Sequence, residues 1–196
     1  FIKDVQVGYS PPFRYASVVS GPLADHRGNN LLVLLTIDFR NTVHVIQALL
    51  KVEPHLESFD RILIKLHPAS CFDEKDLVAA LGQNFSDRYE FINGRLEQYI
   101  DKTSVGFCGA TGTAVELVMK GIPVITIGEP HLLTLDFLSC KKDQDMWQLC
   151  FSYEDIIGAL NHFKILRKER PEDLIRKANE FREFFIAQPS EKYWEN

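Results

Sequence analysis

The chain has 196 residues, 45% hydrophobic and 25% charged, which fits one large domain or two small ones and excludes a disordered or fibrous protein. A net charge of −5 supplies no global positive field, so nucleic acid is not an expected partner. The four cysteines (Cys71, Cys108, Cys140, Cys150) form no CxxC pair, no run approaches the roughly 18 apolar residues of a membrane span, and no signal peptide is visible. These features point to a reducing cytoplasm.

Residues 1–30 are rich in turn formers, from Gly8-Tyr-Ser-Pro-Pro12 to Asp25-His-Arg-Gly-Asn-Asn30, and read as a connector with one short strand at Asp4–Val7. From Leu31 a regular alternation begins. Leu31–Ile37 is an apolar run of strand length, followed by a helix from Thr42 to Val52 with Asn41 as N-cap. Strand Arg61–Leu66, helix Asp73–Leu81 closed by Gly82, strand Tyr89–Ile92 and a helix around Leu96–Ile100 come next. Strand Ser104–Cys108, helix Thr113–Lys120 and strand Pro123–Ile127 follow, then a short strand at Leu149–Ser152 and a helix at Glu154–Phe163. Pro171 opens a final helix, Glu172–Ala187, with Leu174, Ile175, Ala178, Phe181, Phe184 and Phe185 on one apolar stripe. That stripe either packs in the core or docks a partner.

Strands that are apolar throughout and alternate with helices predict a parallel sheet covered on both faces. The fold class is therefore α/β: a doubly wound, Rossmann-like sheet with its site at the carboxyl ends of the strands. The expected organisation is a connector at 1–30, a Rossmann-like domain at 31–170, and a helix with its tail at 171–196.

Two motifs carry chemistry. Gly109-Ala-Thr-Gly-Thr113 lies between an apolar strand and a short helix, where free backbone N–H groups and the helix dipole favour phosphate. Glu116, one helical turn beyond Gly112, is placed to bond a sugar hydroxyl. Small-residue turns also occur for packing alone, so this segment reads either way by itself. The second motif, Lys65-Leu-His67-Pro68, ends a buried strand, because Pro68 cannot continue the ladder. Lys65 and His67 project from the same side, and a cation beside an imidazole suits an anion. A parallel sheet brings both motifs to one edge.

Softer candidates follow other strands. Ile92 and Asn93 precede Gly94 after the third strand and are candidate base contacts, with a plain loop as the alternative. Glu129 and His131 are candidate sugar contacts, with the structural alternative favoured. Arg40 and Asn41 read as a solvated cap rather than a phosphate contact, and His44, His55 and His162 as structural. Asp143-Gln-Asp145 has the spacing of a metal site but lies in a Lys-rich loop and reads as solvated surface.

With these motifs the chain resembles the carboxyl-terminal, donor-binding domain of GT-B fold glycosyltransferases, especially the bacterial surface-polysaccharide enzymes with an HP motif, among them sialyl-, Kdo- and glycerophosphotransferases. The resemblance implies that His67, with Lys65 beside it, contacts the donor phosphates, as do Gly109, Thr111, Gly112 and Thr113. It implies that Glu116, in Glu-Leu-Val-Met-Lys-Gly-Ile-Pro, holds the ribose. Two departures stand out. Cys108 occupies the position where many retaining members carry a second Glu, which argues against that retaining type. Ala110-Thr-Gly-Thr113 stands where the sialyltransferases usually carry paired Ser or Ser-Thr, so a CMP-linked donor is one option among several.

The implied activity moves a sugar or related group from a nucleotide donor to a surface polysaccharide or glycolipid, with glycan or lipid-linked acceptors. No metal or other cofactor is expected, the nucleotide sugar being a substrate. The acceptor-binding amino-terminal half is expected to be a separate, missing domain of the same protein, so this piece alone is expected to be inactive. The expected location is the cytoplasm, with peripheral association at the inner face of the membrane. The alternatives are a nucleotide-sugar 2-epimerase of the same fold and a non-catalytic Rossmann-like interaction module.

Overall fold

A computed structural model of the chain describes residues 21–24, 28–82, 85–129, 138 and 145–185. The expected strand at Asp4–Val7, His131, Asp143 and Ala187 lie outside the described residues. Strands β1 (Asn30–Leu34), β2 (Ile62–Lys65), β3 (Tyr89–Ile92), β4 (Thr103–Cys108), β5 (Val124–Ile127) and β6 (Trp147–Cys150) form one sheet in the order β3-β2-β1-β4-β5-β6. Every pairing is parallel. The helices are α1 (Phe39–Lys51), α2 (Glu74–Leu81), α3 (Glu97–Ile100), α4 (Thr113–Met119), α5 (Tyr153–Glu169) and α6 (Pro171–Phe185). None of the described helices is long and apolar enough to cross a membrane.

The apolar strands feed two cores because side chains alternate across a sheet. Leu31, Val33, Ile62 and Ile64 pack with Val45, Ile46 and Leu49 of α1, Leu77 of α2, and Ile156, Leu160 and Phe163 of α5. Leu32, Leu34 and Leu63 face the other way, toward Val115 and Val118 of α4 and Leu174, Ala178 and Phe181 of α6. Each fully buried side chain of this size contributes about 1.5–3 kcal/mol. Gly106 lets α4 approach β4: a Cβ there would press on Leu117 Cδ1 and lie 3.2 Å from Val124 Cγ2.

Several boundaries differ from those expected, each for a local reason. The strand expected to reach Ile37 stops at Leu34, and Ile37 is 57% exposed in the following turn. Helix α1 starts before Asn41, because the Asp38 carboxylate accepts the Asn41 N–H at 2.7 Å and caps the helix. The last strand is Trp147–Cys150 rather than Leu149–Ser152, since Ser152 caps α5 by accepting the Asp155 N–H at 3.1 Å. That helix runs on past Phe163 to Glu169. In α6 the stripe is narrower than the sequence pattern: Leu174, Ala178 and Phe181 are buried and Ile175 is 46% exposed. Phe181 meets Trp147 at a ring-centroid distance of 5.5 Å, so this stripe is occupied by the chain's own core.

Candidate functional site

Registers align the carboxyl ends of the central strands: Leu34 pairs with both Lys65 and Cys108, and Lys65 with Ile92. The loops leaving β1 to β4 therefore gather on one edge. The order β3-β2-β1-β4 also reverses there. The β1 loop leads to α1 on one face and the β4 loop to α4 on the other, which opens a crevice between them.

A pocket of about 460 Å³ occupies this edge, and Lys65, His67, Thr111, Thr113 and Glu116 line it together. Lys65 shares the parity of Leu63, so it projects toward the α3–α4 side. Its ammonium donates to the Gly94 carbonyl at 2.7 Å, which ties the β3–α3 loop to the end of β2 and leaves two N–H groups for a ligand. The Gly94 backbone is left-handed (φ 93°), a conformation that suits glycine there. His67 Nδ1 accepts the Ala69 N–H at 3.1 Å. The proton of the neutral ring therefore sits on Nε2, which makes His67 a donor without needing a positive charge.

The small-residue turn divides into two functions. Thr111 and Thr113 face the pocket, whereas Gly109 is buried behind its wall against Thr36, Asn41 and Val45, with no room for a Cβ. Gly112 is the N-cap of α4 and does not line the pocket. No side chain caps α4, while Asp38, Asp73 and Ser152 cap α1, α2 and α5. The Thr113 N–H makes only a long 3.4 Å contact to Thr111 Oγ1. The Ala114 and Val115 N–H groups donate to the Thr111 and Gly112 carbonyls, each at 3.2 Å, so within the first turn of α4 the weakly bonded Thr113 N–H is the amide left beside the hydroxyls, with Glu116 one turn further along the helix.

The candidate contacts after β3 lie two residues later than expected. Ile92 is buried in the core, and the Asn93 carbonyl accepts the Tyr99 hydroxyl at 2.8 Å. Gly94, Arg95, Leu96 and Glu97 line the pocket instead. Arg95 is a cation that the sequence reading missed, although its place in the turn after a strand was the available signal. Glu129 lies in a neighbouring hollow of about 410 Å³ with Phe39, Arg40 and Val43, where it accepts from Asn41 Nδ2 at 3.4 Å. Asn41 Oδ1 also accepts from the Thr36 hydroxyl at 3.2 Å.

Two other described histidines make local contacts. His44 Nε2 approaches the Gly128 carbonyl at 3.4 Å, and His55 Nε2 meets the Tyr153 hydroxyl at 3.3 Å. Asp145 forms an ion pair with Lys177 at 2.5 Å. Among the described residues, no group of three or more His, Cys, Asp or Glu is placed to hold a metal ion.

No family model matches the chain, and no curated protein matches it in sequence. Solved structures do. The pneumococcal O-GlcNAc transferase GtfA, in complex with UDP and GlcNAc, superposes at a TM-score of 0.52 and 14% identity, over 84% of this chain and 35% of that one. TarM superposes at 0.52 and 14% identity, over 89% of this chain and 36% of its own. The catalytic domain of cholesterol-α-glucosyltransferase from Helicobacter pylori gives 0.47 at 15% identity, over 77% and 97%. The chain thus spans about a third of the length of GtfA and of TarM.

Proposed function

We propose that this chain, which has the fold of the carboxyl-terminal half of a GT-B glycosyltransferase, binds the nucleotide-sugar donor of a glycosyl or related transfer. One observation supports the reading above all others. Lys65 and His67 from the end of β2, and Thr111, Thr113 and Glu116 from the β4–α4 unit, line a single pocket at the switch point of the sheet. A cation, an imidazole N–H donor, two hydroxyls and the Thr113 amide suit a diphosphate; a carboxylate one turn away suits the ribose hydroxyls.

The donor phosphates lie against His67 Nε2, Lys65 and the Thr111–Thr113 turn, and Arg95 extends the positive side. Glu116 accepts from the ribose, and the base rests on the loop that starts at Gly94. As the bond between sugar and phosphate breaks, negative charge collects on the departing nucleotide, where these donors are already oriented. Acceptor and general base come from the other half of the enzyme. The product is a surface polysaccharide or glycolipid, made in the cytoplasm near the inner face of the membrane. A 2-epimerase needs several carboxylates converging on the sugar, and the place of Glu129 in the neighbouring hollow does not favour it.

The test is a thermal-shift panel of CMP, CDP, UDP, GDP and their sugar conjugates, with His67→Ala as control. A ligand at about 100 times its Kd stabilises the chain by about 2.7 kcal/mol. One nucleotide family is expected to shift the wild type and to lose most of the shift in the variant. If no nucleotide moves the transition, the donor reading fails and the non-catalytic module takes its place.

A further inference from the structure

A second cavity, of about 350 Å³, opens at the opposite edge of the sheet, where the amino end of β1 and the loop before β2 meet the last turns of α5. Lys164, Arg167 and Lys168 line it, with Asn29, Ser58 and Asn161. Spacings of three and four residues place all three cations on one side of α5. A favourable interaction with the helix dipole accounts for basic residues in a last turn, but not for their gathering over one hollow.

The cavity is also unbalanced in charge. Among the described residues, none of those lining it is acidic. Among the described residues, the partly buried Arg167 guanidinium donates only to neutral oxygens, at 3.0 Å to the Gly28 carbonyl and 3.5 Å to Asn29 Oδ1. Burial lowers its affinity for a proton, with no carboxylate opposing the effect. A cation held partly out of water without a counter-charge lacks the partner that such groups ordinarily have. Asn29, Ser58, Asn161 and His55 add hydrogen-bonding groups, and Phe59, Val105 and Leu160 complete the wall with apolar surface. In a chain whose net charge is −5, this is a local reversal of sign.

We propose that this cavity is a second anion site for a phosphate group, carried as a phosphate ester or a diphosphate. It is separate from the donor pocket and stands whether or not that pocket binds a nucleotide. Two sources share the chemistry: a free phosphorylated small molecule and the headgroup of an anionic lipid.

The experiment uses the ¹⁵N-labelled chain and follows the side-chain amides of Asn29 and Asn161, which report on this cavity alone. Inorganic phosphate and pyrophosphate are titrated into the wild type, His67→Ala and the double variant Lys164→Gln/Lys168→Gln. Both lysines are exposed, so their replacement leaves the core intact. Sedimentation with phosphatidylcholine vesicles, with and without phosphatidylglycerol, forms the second arm. Movement of both amide signals in the wild type and in His67→Ala, weakened by about tenfold or more in the lysine variant, establishes a site for free phosphates. Sedimentation only with phosphatidylglycerol, lost in the lysine variant, assigns the site to a lipid headgroup. Unmoved signals together with no sedimentation, or responses that the lysine variant leaves unchanged, overturn the proposal.

Discussion

Glu116 sits one turn inside α4 and lines the pocket, and under the proposed function it accepts hydrogen bonds from ribose hydroxyls. Glu116→Gln keeps the shape and removes the charge. It is expected to weaken binding of the preferred ribonucleotide by about tenfold or more, since hydrogen bonds to charged groups contribute about 1.5–3 kcal/mol. Binding of the corresponding 2′-deoxynucleotide, measured by calorimetry, is expected to fall less. Equal loss for both would place Glu116 away from the 2′-hydroxyl. At this scale the sequence told which residue types could meet an anion, because Lys-x-His-Pro and the Gly-Thr turn have local chemistry. It did not tell which glycine serves packing. Gly109 lies against Thr36, Asn41 and Val45, three residues distant in sequence and adjacent only once β1 and β4 pair.

The helices show how local signals compete. The sequence pattern marks Asn41 as the cap of α1, whereas the structure places Asp38 there. The carboxylate prevails, and its bond to the Asn41 N–H starts α1 earlier. Helix α5 begins with a capping box in which Ser152 accepts the Asp155 N–H and the Asp155 carboxylate accepts the Ser152 N–H at 3.0 Å. Ser152→Ala is expected to lower stability by about 1 kcal/mol, read from chemical denaturation. The Asp155 carboxyl is held below the usual carboxylate range by the Phe151 N–H first and by Ser152 next. A carboxyl depressed on folding stabilises above its unfolded pKa and loses that contribution as pH falls through the folded value. Acid titration of stability is therefore expected to flatten in Asp155→Asn, with a smaller loss on acidification than in the wild type.

The whole molecule supplies one edge of a larger machine under the proposed reading. The chain spans about a third of the length of GtfA and of TarM, and under that reading the acceptor and the general base come from another domain. The chain is accordingly expected to bind nucleotide without turning over. Incubation with the donor that shifts its melting temperature should release no sugar to acceptor or water beyond the uncatalysed rate. Measurable transfer by the isolated chain would remove the two-domain picture while leaving the pocket in place.

Sequence alone determined the α/β class and the approximate place of every described strand and helix, because apolar runs, helical periodicity, caps and turn residues act over a few neighbours. It also supplied the two motifs. The strand order β3-β2-β1-β4-β5-β6 was decided only by tertiary structure, as were the sharing of one pocket by Lys65 and Thr113, the use of Gly94–Glu97 as its third wall, and the gathering of Lys164, Arg167 and Lys168 over another. Which strand hydrogen-bonds to which is a choice made by the packing of both faces at once, and no local stretch of residues carries it.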